Sequence, residues 1–132
     1  MSELVGDGRR PVGSPDAPPA SGGYSQAISA GGFLFLSGQG PFDADGRLVD
    51  GSIAAQVERT LANLDAVAGA AGASLAGAVR VGVYLSDLAY FDEMDAAYRA
   101  FFPPGAPLPA RTTTQSDLIG FDVEIDAVVW LG

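Results

Sequence analysis

The sequence predicts an α+β fold in the order β-β-α-β-α-β-β, with two helices packed on one face of a largely antiparallel sheet. Three observations point there. Near the C-terminus, Phe121, Val123, Ile125, Ala127 and Val129 alternate with Asp122, Glu124 and Asp126, which is the period of a strand with one buried face. Two stretches, residues 53–71 and 91–101, carry apolar residues at helical spacing. Short runs of β-forming residues bounded by glycine precede the first helix and separate the two.

Residues 1–21 are rich in Gly and Pro and show no hydrophobic period, so they read as a flexible N-terminal arm. The ordered domain is expected over residues 22–132. Tyr24, Gln26 and Ile28 alternate with Ser25 and Ala27, Gly31-Gly32 makes a turn, and residues 33–37 form a second short strand that Gly38 stops. The loop Gly38-Gln39-Gly40-Pro41 could bring its backbone close to a ligand, although a strand exit needs glycine in any case. After a polar connection, Ser52 is placed to cap a helix whose stripe is Ile53, Val57, Leu61, Leu64, Ala68 and Ala71, ended by Gly72. Asn63 lies off that stripe and suits a local polar contact. Residues 78–85 form the next strand. Ser86 or Asp87 caps a second helix with Phe91, Met94, Tyr98 and Phe101 on its apolar stripe, and Pro103-Pro104 breaks it.

The threonine-rich run 111–116 reads as the hairpin partner of the last strand, with Gly120 closing the connection. Arg111 then shares a face with Glu124 only if Glu124 lies opposite Thr113 or Arg111. A four-residue connection allows this; a three-residue connection sets Glu124 against Thr114, on the other face.

Composition removes whole classes of chemistry. The chain has 132 residues and 48% hydrophobic content, enough for one domain with a real core. Cysteine and histidine are absent and all seven basic residues are arginine. Disulfides, thiol and Ser-His nucleophiles, the usual zinc sites, Schiff bases and the P-loop lysine are thereby excluded. A net charge of −9 with no concentrated basic patch speaks against nucleic acid. No apolar run has transmembrane length and no secretory leader is evident, so a cytoplasmic protein without membrane contact is expected.

Several of these residues fall into a known pattern. Gly22 with Tyr24-Ser25-Gln26-Ala27, Leu36-Ser37-Gly38-Gln39 with Pro41, Gln56, and Asn63-Leu64 belong to it. So do Gly72-Ala73-Ser74, Phe101-Phe102, Pro109-Ala110-Arg111 and Val123-Glu124-Ile125. Across residues 22–131 the chain resembles the RidA (YjgF/YER057c/UK114) family of reactive imine and enamine deaminases. The resemblance implies the chorismate-mutase-like α+β fold and a barrel-like homotrimer with a ligand cleft at each subunit interface. It implies a hydrolase of the 2-iminobutanoate/2-iminopropanoate deaminase type, acting on a small 2-imino acid to release the 2-keto acid, with no metal and no other cofactor. Arg111 matches the arginine that binds the substrate carboxylate and Glu124 the glutamate that handles the hydrolytic water. Tyr24 matches a cleft tyrosine, and Ser37 with Gly38 the loop lining the pocket. Asp95 stands where many members have asparagine, Thr113 where many have cysteine, Gly23 where proline is common and Gly40 where an apolar residue is common. The connection before Glu124 is about two residues shorter than usual; an even deletion keeps strand parity and so leaves Arg111 and Glu124 on one face.

The chemistry agrees with that assignment. Hydrolysing a 2-imino acid, such as the tautomer of 2-aminoacrylate, needs a guanidinium fork for the carboxylate, an acceptor for the attacking water, and a proton for the departing nitrogen. Each residue also has an ordinary reading. Arg111 could be a plain ion-pair partner, Glu124 a solvated strand residue beside Asp122 and Asp126, Tyr24 a packing residue, Thr113 a volume filler and Asp95 a solvated helix residue. Trp130 shares the face of Glu124, which suits an intersubunit surface. Two alternatives stand: a related enzyme on the same fold, of the aminomuconate-deaminase type, or a non-enzymatic trimer that binds small carboxylates. The chain is short for a chorismate-hydrolase-like member. The older endoribonuclease L-PSP label of the family conflicts with the acidic charge and the missing His and Lys.

Overall fold

The computed structural model describes residues 6–132. Eight elements follow in order: β1 (Arg10–Val12), β2 (Ala27–Ala30), β3 (Phe33–Gln39), α1 (Ile53–Ala70), β4 (Ala78–Leu85), α2 (Phe91–Phe101), β5 (Ala110–Gln115) and β6 (Val123–Trp130). They form the predicted α+β arrangement, with a single six-stranded sheet ordered β1-β2-β3-β6-β4-β5. Every pairing is antiparallel except β4 with β5, which is parallel and bridged by α2.

Local chemistry explains the boundaries. Gly31 and Gly32 have φ of 58° and 85°, the doubly left-handed turn that a tight β2–β3 hairpin requires. The Ser52 hydroxyl accepts from the Ala55 amide at 3.1 Å and caps α1. Asp87 caps a 3-10 turn, Leu88–Tyr90, that leads into α2. The period-two residues of the sheet then meet the helical stripes. Leu34, Val81, Val83, Leu85, Val123, Ile125 and Val129 are fully buried against Val57, Leu61, Leu64 and Val67 of α1 and Met94 of α2. The opposite sheet face carries no helix.

Two expectations are corrected. The segment 109–129 is not a hairpin: β4 lies between β5 and β6. Both edges of β6 are occupied, one by β3 and the other by β4, so β5 can pair only on the far side of β4. The segment expected as a flexible arm also carries structure, although its first five residues lie outside the described ones. Arg10–Val12 pairs with β2, and Ala17 is buried. Gln26 pins the segment: its Oε1 accepts the Ser14 amide at 2.6 Å and its Nε2 donates to the Pro18 carbonyl at 2.6 Å. A three-residue strand containing Pro11 has no readable period, and proline is tolerated there because β1 is an edge.

Candidate active site

The predicted site residues fall into two groups on opposite faces of the sheet. Register makes this unambiguous. Arg111 is level with Val81, which is level with Ala127, so all three point to the helix side. Glu124 is level with Tyr84, which is level with Thr114, and these point to the open side. The expectation that Arg111 and Glu124 share a face is therefore overturned. It assumed direct β5–β6 pairing, whereas the inserted β4 sets the register that decides parity.

Arg111 sits in a small cleft of about 220 Å³ with Asp95, Tyr98, Arg99, Leu108 and Pro109. Its guanidinium carbon lies 4.7 Å above the Tyr98 ring and 5.5 Å from that of Phe91, a stacked placement that fixes the fork. Asp95 Oδ1 accepts from Arg111 Nη1 at 2.8 Å, and its Oδ2 from Arg99 Nε at 2.9 Å. The hydrogen bond from Arg99, and after it that from Arg111, holds the Asp95 carboxyl below the usual aspartate range. One carboxylate between two guanidiniums leaves the cleft a net positive charge. Burial pushes the Tyr98 hydroxyl up to about 12, so it stays protonated. Thr113 lies two residues along β5 on the same face and is partly buried.

The second group gathers at the exit of β3. Tyr24, Ser37, Gly38 and Glu124 line one depression. A Cβ on Gly38 would stand 2.7 Å from Glu124 Oε2, so glycine here lets the Glu124 side chain keep its position. The Ser37 hydroxyl donates to the Ser25 carbonyl at 2.6 Å and ties the Tyr24 segment to β3. Tyr24 is half exposed, and its hydroxyl accepts from the Ser21 amide at 3.3 Å. Among the described residues Glu124 makes no side-chain hydrogen bond or ion pair, so its carboxylate is free to accept from water. Burial, and after it the neighbouring Asp126 charge, raises the Glu124 carboxyl above the ordinary glutamate value of 4.5.

Sequence reasoning places Asp126 beside Glu124 and gives Asn63 a local polar contact, as the structure shows, but does not name their partners. Asp126 Oδ1 accepts the Gly82 amide at 3.0 Å, and its Oδ2 accepts from the Tyr84 hydroxyl at 2.9 Å. That bond raises the Tyr84 pKa. Asn63 donates from Nδ2 to the Gly40 and Phe42 carbonyls at 3.1 and 2.7 Å, which locks the loop after β3 onto α1. Beyond Glu124 the open face turns apolar. Phe33 lies opposite Trp130 and Phe35 opposite Val128, and Phe35 and Trp130 are 48% and 57% exposed. Among the described residues no cluster of acidic groups could hold a metal ion, and no helix is long and apolar enough to cross a membrane.

A family model described as Endoribonuclease L-PSP matches residues 14–131. The chain belongs to this family, the YjgF/RidA family. Among curated relatives, the RutC family protein y4sK of Sinorhizobium fredii is 42% identical over 92% of this chain and 97% of its own. Reactive Intermediate Deaminase A, chloroplastic, of Arabidopsis thaliana is 37% identical over 87% of this chain and 61% of its own. The crystal structure of RidA from an Antarctic Psychrobacter superposes with a TM-score of 0.83 at 34% identity, covering 90% of this chain and 97% of that one. Arg111 with Asp95, and Glu124 with Tyr24, Ser37 and Gly38, thus stand as two separate groups on opposite faces of the sheet.

Proposed function

We propose that the protein is a hydrolytic deaminase of small 2-imino acids, working in clefts where the Arg111 face of one chain meets the Glu124 face of another, in a homotrimer. The observation that carries the proposal is the separation of the two groups by the sheet. One half offers a stacked guanidinium with net positive surroundings, and the other a carboxylate with a raised pKa and no partner among the described residues. Each lacks what the other supplies. The exposed Phe33, Phe35 and Trp130, with the half-buried Val128, give the assembly an apolar surface to bury beside Glu124.

In this arrangement the substrate carboxylate takes the N–H groups of Arg111 that Asp95 leaves open. A water donates to Glu124 and attacks the imine carbon, and Glu124 takes its proton. The C=N electron pair moves to nitrogen as the tetrahedral carbinolamine forms. Glu124, whose raised pKa makes it a competent acid as well as a base, returns the proton toward the nitrogen. Glu124 then moves the carbinol hydroxyl proton to that nitrogen, the C–N bond breaks, and ammonia leaves as the oxygen becomes the keto group. The net change is imine plus water to 2-keto acid plus ammonia. Thr113, on the Arg111 face, and Tyr24, Ser37 and Gly38, on the Glu124 face, line the two walls.

The test couples purified protein to an amino acid dehydratase and follows imine decay against keto-acid formation. Faster conversion with the protein than without it is the expected result; equal rates across a range of protein concentrations reject the deaminase reading. The plant relative named Reactive Intermediate Deaminase A supports the direction of this proposal.

A further inference from the structure

Next to Glu124 lies a second and larger cavity, about 490 Å³, that the hydrolysis of a three-carbon imine leaves unused. Its walls include Pro18, Tyr24, Gly40, Phe42, Phe121 and Glu124. The Phe42 and Phe121 rings meet edge to face with centroids 5.2 Å apart. Gly40 makes that contact possible, since a Cβ there would stand 2.8 Å from the Phe42 ring and 3.2 Å from the Phe121 ring. The Gly40 and Phe42 carbonyls are held by Asn63, and Pro18 is held by Gln26. The walls are thus fixed by buried polar anchors. The only ionisable side chains lining the cavity are Tyr24, Asp45 and Glu124, with no arginine.

We infer that this cavity is the subsite for the substrate's side chain and selects 2-imino acids with bulky apolar side chains, aromatic or branched, against those with acidic ones. The inference rests on the deaminase reading and deepens it. With the carboxylate on Arg111 and the reacting carbon at Glu124, the substituent on that carbon is the part left to occupy a cavity that Glu124 itself borders. The aromatic pair and Pro18 bury an apolar group, whereas Asp45 and Glu124 repel a second carboxylate.

The experiment generates imines from alanine, leucine, phenylalanine and glutamate with an amino acid oxidase and measures kcat/KM for each. The leucine- and phenylalanine-derived imines are expected to exceed the alanine-derived one by about tenfold, the lower range for burying a leucine-sized group. The glutamate-derived imine is expected to fall below it. Both Phe121→Ala, which removes one wall, and Gly40→Val, which drives the rings into the cavity, should bring the leucine-to-alanine ratio toward one. Calorimetry with 4-methyl-2-oxopentanoate against 2-oxopropanoate gives the same comparison without turnover. Hydrolysis of the alanine-derived imine with no preference for bulk, and ratios unchanged in both variants, overturns the subsite and leaves the deaminase reading standing. Hydrolysis of none of the imines removes both.

Discussion

Mixing two inactive variants tests the composite cleft directly. In the proposed mechanism Arg111→Ala removes the carboxylate anchor, and Glu124→Gln removes the proton acceptor while keeping shape. Loss of one charge-assisted hydrogen-bonded contact costs on the order of 1.5–3 kcal/mol, so each variant alone should keep roughly one to ten per cent of wild-type kcat/KM. Because Arg111 and Glu124 point to opposite faces of one sheet, a cleft that uses both draws them from two chains. In a trimer that contains both variants, one cleft of the three pairs an intact Arg111 with an intact Glu124. Activity of the mixed assemblies should therefore return to about a third of wild type, well above the mean of the parents. The assay co-expresses differently tagged variants, isolates doubly tagged assemblies and measures imine hydrolysis. Confirmed mixed assemblies with no gain over the parental mean would refute the argument, since a site built within one chain cannot be restored by exchange.

Four further outcomes follow from the geometry. In the proposed mechanism Glu124 acts as a base when ionised, so kcat/KM should fall as pH drops through a value above 4.5, and Asp126→Asn, by removing the neighbouring charge, should move that acid limb downward. Asp95→Asn should tighten binding of 2-oxobutanoate in calorimetry, because a neutral side chain releases the Arg111 fork. The same change should cost about 1 kcal/mol in urea unfolding at neutral pH. Asp95 has a lowered pKa, so its contribution is present above the unfolded value and fades as pH falls through the folded one; the gap between wild type and variant should close in acid. Gly38→Ala places a methyl 2.7 Å from Glu124 Oε2 and should reduce kcat with the fold intact by circular dichroism. Phe35→Glu sets a charge in the exposed apolar face and should yield monomers in sedimentation equilibrium.

What the sequence made legible follows from which constraints are local. Ser52, Gly72 and the Ile53–Val57–Leu61–Leu64 stripe fix α1 within the segment itself, and the observed helix starts and stops within a residue of that reading. The residues 78–85 alternate plainly enough to give β4 its observed bounds. The candidate residues could be named through the motif around Arg111 and Glu124. Their spatial grouping was not, because a strand's face depends on its pairing partner, and pairing is a property of the whole sheet. Arg111 and Glu124 are thirteen positions apart in sequence and look like the two arms of a hairpin, yet a strand ending at Leu85 comes between them. The N-terminal strand was hidden for a different reason. Its hold on the sheet comes from backbone pairing with β2 and, just past the strand, from the Gln26 side chain binding backbone at Ser14 and Pro18, and such contacts leave no hydrophobic period to read.

The inserted strand also bears on why Asp95 is tolerated beside Arg111. With β4 between the groups, the nearest carboxylate to Arg111 among the described residues of its own chain is Asp95 at 2.8 Å, not Glu124. A free guanidinium stacked on Tyr98 and Phe91 would carry an uncompensated charge in a partly desolvated cleft, which is costly. Asp95 relieves that cost in the unassembled chain, and Arg99, bound to its other oxygen, prevents full neutralisation. The cleft so keeps one net positive charge for an incoming carboxylate while Arg111 remains oriented. On this argument Arg99→Ala should weaken 2-oxobutanoate binding by roughly two- to fivefold, the range of an exposed charge pair. The rotation of Arg111 should be unchanged in a crystal structure of the variant. An Arg99→Ala protein that binds the keto acid as well as wild type would mean that Arg111 alone supplies the charge, and that Asp95 does not neutralise it.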